Sequence, residues 1–306
     1  MDKWGSRLRT APKALPGNRD NQGLPGQRGR EAAGARRSVR GVPETLEDSA
    51  GLVYGRNSVL EALRAGRVER IHMARGARGA VSEIVGEAAA RGIPISEADR
   101  DWLNAVAGGD HHQGVAAVVT PYRYSSLDAM LALARKRGEP PWLLILDCVQ
   151  DPQNLGTLLR TAEAVAVHGI VLPEHRAAHV TPAVEKASAG AVEHLLVARE
   201  TNLTKTILRL RDEGLWVAGV EAVPGAVDFR KASLAGPLAI VVGSEGKGIS
   251  RLVRESCDFL VSLPMKGVVS SLNAGVAGSV VLYEVLRQRT LSVPDQAHAD
   301  LPHRGG

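Results

Sequence analysis

Three short segments in the second half of the chain hold glycines and polar side chains that a hydrophobic core would not need. They span residues 151–160, 243–248 and 263–273 and read DPQNLGTLLR, GSEGKG and LPMKGVVSSLN. Each follows an apolar run typical of a β-strand, and open α/β sheets bind ligands just outside the carboxyl ends of their strands. These segments are therefore the candidates for substrate or cofactor contacts.

The first segment carries an amide and a guanidinium on a predicted helix. We expect Asn154 at the helix N-terminus, and Arg160 lies six residues further on. At about 3.6 residues per turn the two positions differ by about 240° around the axis. They do not share a face unless Asn154 lies in the cap, so each would serve a different partner. A capping Asn and a surface Arg are the alternative interpretation of the same residues.

The other two segments combine flexible backbone with a carboxylate and two small polar side chains. The three glycines of segment 243–248 allow positive φ and close approach of the backbone to a ligand. Their order, G-x-x-G-x-G, is neither the dinucleotide fingerprint nor a phosphate-binding P-loop. Glu245 lies inside this loop, and Ser271 and Asn273 precede the last predicted helix. Helix capping would also account for these three residues.

Composition divides the chain into five predicted parts. Residues 1–48, rich in Gly, Pro, Arg and Ala, predict a disordered basic tail. Residues 49–120 predict a small α/β domain, 121–141 a linker with one helix at its centre, and 142–290 a second α/β domain. Residues 291–306 predict a second disordered tail. In the larger domain, continuous apolar runs indicate strands buried on both faces of a parallel sheet. We predict those strands at 142–147, 169–172, 194–197, 215–220, 238–242 and 259–263.

Charge favours a polyanionic partner, and the remaining composition argues against several classes of protein. The net charge is +5, and residues 1–40 hold ten Lys or Arg against three Asp or Glu. No apolar run is long enough to span a bilayer, so no membrane association is predicted. Cys148 and Cys257 are far apart, and His111 and His112 have no Cys or carboxylate cluster nearby. We therefore expect neither disulfides nor a metal, in a cytoplasmic protein.

Taken together and in this order, the three segments resemble the motifs of the SpoU–TrmH family of RNA ribose methyltransferases, in the SPOUT superfamily. The resemblance covers about residues 142–289, and residues 53–60 and 112–115 resemble the family's RNA-binding domain more loosely. It implies a mostly parallel sheet with a deep trefoil knot, preceded by a small α/β RNA-binding domain. Knotted folds are rare, so the knot is a specific expectation.

The resemblance also assigns roles to individual residues. It implies S-adenosyl-L-methionine as cofactor, no metal, and a homodimer formed through the C-terminal domain. The catalytic positions that it implies are Asn154, Arg160, Glu245, Ser271 and Asn273. The cofactor-binding positions that it implies are Gly243, Leu263 and Leu272. Because the pKa of arginine exceeds about 12, a clamp on a hydroxyl or phosphate suits Arg160 better than the role of a literal base.

The activity implied is methylation of a ribose 2′-hydroxyl, the group that distinguishes RNA from DNA. The extra N-terminal domain favours ribosomal RNA, and we predict a guanosine of 23S rRNA as the substrate. Ribose methylation of tRNA, or of another rRNA nucleotide, is the close alternative. A non-catalytic RNA-binding protein of ribosome assembly is the alternative from a different class. A dinucleotide enzyme is disfavoured by the order of the glycines.

Overall fold

The computed structural model describes residues 51–77, 81–175, 177–268 and 271–292. The predicted tail at 1–48 lies outside these residues, and so does the tail at 291–306 except for its first two positions, which end the last helix. Within the described residues no helix is long and apolar enough to cross a membrane.

The described helices are α1 Arg56–Arg64, α2 Ser82–Arg91, α3 Arg100–Ala107, α4 Leu127–Arg137, α5 Pro152–Ala164, α6 Pro182–Ala187, α7 Leu203–Asp212, α8 Arg251–Ser256 and α9 Ala274–Ser292. The described strands are β1 Gly51–Tyr54, β2 Val68–Ala74, β3 Ile95–Ala98, β4 Val115–Val119, β5 Trp142–Asp147, β6 Gly169–Pro173, β7 Val197–Glu200, β8 Trp216–Val220, β9 Val227–Asp228, β10 Leu238–Gly243 and β11 Phe259–Ser262.

The first four strands form a small mixed sheet with the order β1-β4-β2-β3. Strand β4 pairs antiparallel with both β1 and β2, and β3 pairs parallel with β2. Helices α1 and α2 supply Val59, Leu63 and Ile84 to a buried apolar cluster. The strands supply Ile71 and Ala117 to the same cluster. The small domain therefore has a core of its own.

The remaining seven strands form a second sheet with the order β7-β6-β5-β10-β8-β11-β9. Every pair of neighbouring strands in it is parallel. Alternate residues of β5 point to opposite faces: Leu144 and Leu146 pack under α5 and α9, whereas Leu143 and Ile145 pack under α4 and α7. Both faces are covered, which explains why these strands are continuously apolar.

The order of the strands reverses between β5 and β10. From β5 the chain moves outward through β6 and β7, and it then returns to build the other half of the sheet from β8 onward. At the carboxyl edge Asp147 of β5 stands beside Gly243 of β10. A reversal of this kind leaves a crevice between the two strands, where α/β proteins bind their ligands.

A buried cluster of charges joins the small domain to the segment after β6. Arg67 forms ion pairs with Glu185, at 3.3 Å, and with Glu193, and its guanidinium also lies over the ring of Tyr122. Ser58 of α1 donates a hydrogen bond to the carbonyl oxygen of Glu185 over 3.1 Å. Both carboxylates are largely buried, and they share the single positive charge of Arg67.

Three strands differ from the pattern of the sequence, and one of them, the two-residue strand β9, has no counterpart among the predicted strands. The strand predicted at 194–197 is wrong at its start: Ala191–His194 is a 3₁₀ turn, and β7 begins at Val197. The apolar run is strand-like, but Val192 packs into the core from the turn, and the His194 ring turns outward to Glu61. Strand β1 has no counterpart among the predicted strands, and its pairing with β4 places it at the edge of the small sheet.

The segment predicted as a linker contains helix α4 at the expected position. This helix packs its Leu127, Met130 and Leu131 side chains onto the larger sheet. The predicted trefoil knot involves the segment 263–273, of which residues 269 and 270 lie outside the described part of the chain. The knot stays a prediction.

Candidate active site

A cleft of about 550 Å³ opens at the carboxyl edge of the larger sheet, beside the reversal of strand order. Its walls come from the segments that follow β8, β10 and β11 and from the start of α9. Small-molecule and cofactor sites have volumes of about 300–1,000 Å³, so the cleft has the size of a cofactor site.

Helix α5 begins at this edge, and its first turn places the Asn154 amide against Glu245 and Asn273, which line the cleft. Asp151 is the N-cap, and its carboxylate accepts hydrogen bonds from the backbone N–H groups of Gln153 and Asn154. The Asn154 side chain is therefore not needed for capping, in contrast to the alternative interpretation of the sequence. The Asn154 side chain is buried, and its amide makes hydrogen bonds to residues far away in the sequence.

Those contacts connect three of the predicted catalytic residues. The Asn154 Nδ2 donates to Glu245 Oε1 over 2.8 Å, and the Asn273 Nδ2 donates to Asn154 Oδ1 over 2.8 Å. Asn273 also donates to Glu245. The same Asn273 side chain caps α9 by accepting from the N–H of Val276. The polar network thus fixes the starts of two helices and the loop after β10 relative to one another.

The loop after β10 is held so tightly that the last residue of the strand, Gly243, must be glycine. A Cβ atom on Gly243 would lie 2.2–2.4 Å from backbone atoms of Gly248 and Ile249. Ser244 and Gly248 exchange two backbone hydrogen bonds of 3.0 Å, and the Asp147 carboxylate accepts from the N–H of Ser250 over 2.6 Å. These bonds hold the Glu245 side chain in front of the cleft.

Helix α9 approaches α5 closely because glycine lines its inner face. A Cβ atom on Gly278 would lie 2.5 Å from Leu158, and one on Gly275 would lie 3.4 Å from Thr157. The Thr161 hydroxyl is 2.8 Å from the Ser279 hydroxyl. The small residues that the sequence places at the start of this helix therefore allow the neighbouring Asn273 amide to reach α5.

Six of the eight predicted site residues line this cleft, Asn154 is hydrogen-bonded to two of those six, and Arg160 lies apart. Among the residues that line the cleft are Gly243, Glu245, Leu263, Ser271, Leu272 and Asn273. Arg160 does not line it: the side chain is exposed and makes no hydrogen bond or ion pair with the described residues. Arg160 lies six residues after Asn154 on α5, and the helix rises by about 9 Å over that distance, which accounts for the separation of the two residues.

The sequence-based prediction missed two acidic residues at this edge. Glu221 directly follows β8 and lines the cleft, and Asp147 at the end of β5 holds the loop after β10. The available signal was their position at the carboxyl ends of predicted strands. Nearby, burial and then the charges of Asp258 and Glu221 raise the pKa of Cys257 to about 12, so this thiol is not a thiolate nucleophile.

Comparison with known proteins identifies the fold and the chemistry. A model of the SpoU rRNA Methylase family matches residues 141–283, and a model for RNA 2′-O ribose methyltransferase substrate binding matches residues 52–125. YacO of Bacillus subtilis, which bears a TrmH family tRNA/rRNA methyltransferase name, is 46% identical over 239 residues, or 78% of this chain and 95% of YacO. The chain belongs to the SpoU/TrmH family.

Further members of the SpoU/TrmH family agree with this assignment. A TrmH family protein of Staphylococcus aureus (strain MSSA476) is 43% identical over 246 residues, which cover 80% of this chain and 98% of the relative. The crystal structure of the SpoU methyltransferase AviRb from Streptomyces viridochromogenes with AdoMet has a TM-score of 0.67 at 25% identity, covering 80% of this chain and 92% of AviRb. The protein is an RNA methyltransferase with S-adenosylmethionine as its methyl donor.

The residues of the cleft fit this cofactor. The missing Cβ of Gly243 lets the two ends of the loop approach each other, and residues 243–248 line the cleft, where main-chain groups can bind a ligand at close range. Leu263 and Leu272 supply apolar wall, and Glu221 and Glu245 supply carboxylates. Apolar walls with a few directed polar groups are typical of cofactor sites. Within the described residues, no group of three or more His, Cys, Asp or Glu is placed to hold a metal ion.

Proposed function

We propose that this protein methylates a ribose 2′-hydroxyl of RNA, with Gly243, Leu263 and Leu272 holding the cofactor. The observation that carries the proposal is the hydrogen-bonded group of Asn154, Glu245 and Asn273 at the cofactor cleft. The match of residues 52–125 to a substrate-binding model of ribose 2′-O methyltransferases supports the same reaction.

The chemistry requires little beyond positioning and removal of one proton. The bound cofactor supplies a methyl group already activated by its sulfonium. A new bond forms between the ribose oxygen and the methyl carbon as the carbon–sulfur bond breaks, and the hydroxyl loses its proton. Holding the oxygen in line with that carbon can contribute about 7–11 kcal/mol. Asn154, Glu245, Ser271 and Asn273 are the proposed orienting residues.

Arg160 is the proposed clamp on the RNA side of the site. Its guanidinium is exposed and uncommitted among the described residues, so it can form a two-point contact with the phosphate next to the reacting ribose. A positive charge there would stabilise the alkoxide-like oxygen as the proton leaves. Because Arg160 is outside the cleft, the bound RNA, rather than a direct bond to Asn154, would connect it to the other site residues.

For the substrate we propose a guanosine of 23S rRNA. The support is the domain layout, because a separate RNA-binding domain suits a large folded substrate. Ribose methylation of tRNA is the close alternative, and the relatives bear tRNA/rRNA methyltransferase names that include both. Both RNAs are found in the cytoplasm of the bacteria from which these relatives come, and we propose that compartment for this protein.

The family assignment as an RNA methyltransferase argues against the non-catalytic alternative. An RNA-binding assembly protein would not need the polar group around Asn154, nor a loop so tight that Gly243 cannot carry a side chain. Binding of S-adenosylmethionine to the purified protein separates the two functions. A dissociation constant in the micromolar range would favour the enzyme, and absence of binding would favour the assembly protein.

We also propose a homodimer formed through the larger domain. Helix α9 buries Val281, Leu282 and Val285 in the core, yet its opposite side exposes Val276, Val280 and Tyr283, the last to 55%. These three exposed positions are spaced four and three residues apart, so they form one apolar stripe. A second copy related by a twofold axis would cover the stripe with its own.

The deciding experiment is ribose-methylation mapping of total RNA. RNA from cells with the gene, without it, and with an Arg160→Ala copy would be compared. We expect one 23S rRNA guanosine to lose its methyl group in the deletion and to stay unmethylated with the variant. A lost site in tRNA would replace the substrate that we propose, and no lost site would contradict the proposed function.

A further inference from the structure

Glu221 lines the proposed cofactor cleft, although none of the three motifs includes it. It directly follows β8, the strand between β10 and β11. Val220 of β8 pairs with Val242 on one side and with Val261 on the other. The next residue along each strand therefore places Glu221 between Gly243 and Ser262. Adjacent strands lie about 4.8 Å apart, so the carboxylate is within side-chain reach of the proposed cofactor-binding segments on both sides.

The two oxygens of this carboxylate have different surroundings. Oε2 is buried, makes no hydrogen bond, and lies 3.5 Å from the guanidinium of Arg254 on α8. Oε1 lies against Gly248, where an added Cβ would be 2.5 Å away. Both Glu221 and Gly248 line the cleft. Arg254 thus lies beside one oxygen, and the other lies beside Gly248, a residue of the cleft, with no hydrogen bond to the described residues.

We propose that Glu221 binds the ribose of the cofactor, accepting hydrogen bonds from its 2′- and 3′-hydroxyls. The inference rests on the proposed cofactor site and adds a positioning residue to it. A buried carboxylate oxygen without a hydrogen-bond donor is costly, and Oε2 has none among the described residues, so a ligand that donates to this carboxylate would lower that cost.

Only some groups of the cofactor can form a favourable contact with the Glu221 carboxylate. The cofactor's own carboxylate would be repelled. Its ammonium group and its vicinal hydroxyls can both donate hydrogen bonds to a carboxylate. We commit to the hydroxyls because an acidic side chain after a parallel strand is a known solution for binding a ribose diol in open α/β sheets.

The test compares three ligands by isothermal titration calorimetry on the wild type and on Glu221→Gln. S-adenosylhomocysteine has both donor groups, 5′-methylthioadenosine has the diol but no ammonium, and 2′,3′-dideoxy-S-adenosylhomocysteine has the ammonium but no diol. We expect the variant to bind the first two about 10- to 100-fold more weakly and the third as the wild type does. Glu200→Gln, at the end of β7 and outside the cleft, is the matched control and should change none of the three.

Other outcomes contradict the inference in distinguishable ways. A loss confined to the two ligands with an ammonium group would assign Glu221 to that group. Equal losses for all three, or none, would leave Glu221 as a structural partner of Arg254. Glu221→Ala, checked by its melting temperature, repeats the test if the Gln variant does not fold. A wild type that binds none of the ligands would contradict the proposed function itself, and the inference with it.

Discussion

The Asn273 side chain donates a hydrogen bond of 2.8 Å to Asn154, a residue 119 positions earlier in the chain. The bond joins the first turn of α5 to the start of α9, and both amides also contact Glu245 on the loop after β10. Three segments far apart in sequence therefore share one polar group beside the proposed cofactor cleft. Removing any one member would leave the other two with fewer hydrogen bonds in a partly buried position.

Asn154→Ala should therefore lower methyl transfer much more than it lowers cofactor affinity. We expect the rate of methylation to fall by about 100-fold, because the orienting donor is lost at the reacting centre. S-adenosylhomocysteine affinity should change by less than about fivefold, since the cleft walls stay in place. Single-turnover methylation and calorimetry measure the two effects. Thr157→Ala, one turn further along α5, is the control, because its hydroxyl donates only to its own helix.

Arg160→Lys should be nearly as inactive as Arg160→Ala. The lysine keeps the charge but cannot make the two-point contact of a guanidinium, so we expect at least about a 10-fold loss for Lys and about 100-fold for Ala. Cofactor binding should be unchanged in both, because the Arg160 side chain is outside the cleft. Lys136→Ala, an exposed residue of α4, controls for the loss of one charge. Full activity of the Lys variant would rule out the clamp.

Gly243→Ala should abolish cofactor binding while Gly236→Ala leaves it intact. The added methyl group would meet the backbone of Gly248, which cannot move without breaking the paired hydrogen bonds of the loop. At Gly236 no atom lies within 4 Å of the added Cβ. Calorimetric titration with S-adenosylhomocysteine measures the difference. Normal affinity in the Gly243 variant would show that the loop is less constrained than its contacts indicate.

The buried ion cluster predicts a pH dependence of stability. Burial raises the pKa of Glu185 to about 7, with Glu193 adding to the shift and Arg67 opposing it, against about 4.5 in the unfolded chain. Between these values the folded state binds more protons, so the free energy of unfolding falls as pH rises through this window, by up to about 3 kcal/mol. Urea unfolding at several pH values should show a steeper fall in the wild type than in Glu185→Gln, where Glu193 is the remaining carboxyl of the cluster whose pKa burial raises. The exposed Glu213→Gln should behave as the wild type does.

Tyr283→Arg should convert the proposed dimer into a monomer. A charge at the end of the apolar stripe on α9 would be buried without a partner in the twofold interface. Light scattering after size-exclusion chromatography measures the mass of both proteins. Leu208→Arg places the same charge on another exposed apolar position, on α7, and should leave the dimer intact. A wild type that is monomeric at micromolar concentration would contradict the dimer.

Local pattern was enough to predict several elements and most of the cleft. The apolar run of β5 and the helical spacing of α4 appear in the structure at the predicted residues. Such elements are dictated by residues near one another in sequence, through burial on both faces of a strand or along one side of a helix. The glycine order of segment 243–248 likewise argues against a dinucleotide site without any knowledge of the fold.

Tertiary structure alone decided how these parts meet. The sequence allowed Asn154 to be a helix cap, and only the fold shows that Asp151 caps α5 while Asn154 reaches Glu245. The order of the strands, which no local pattern encodes, brought Glu221 between two segments that we propose bind the cofactor. It also left Arg160 outside the cleft. The physical reason is that hydrogen bonds and packing between distant segments depend on strand register and helix approach, which the whole chain sets together.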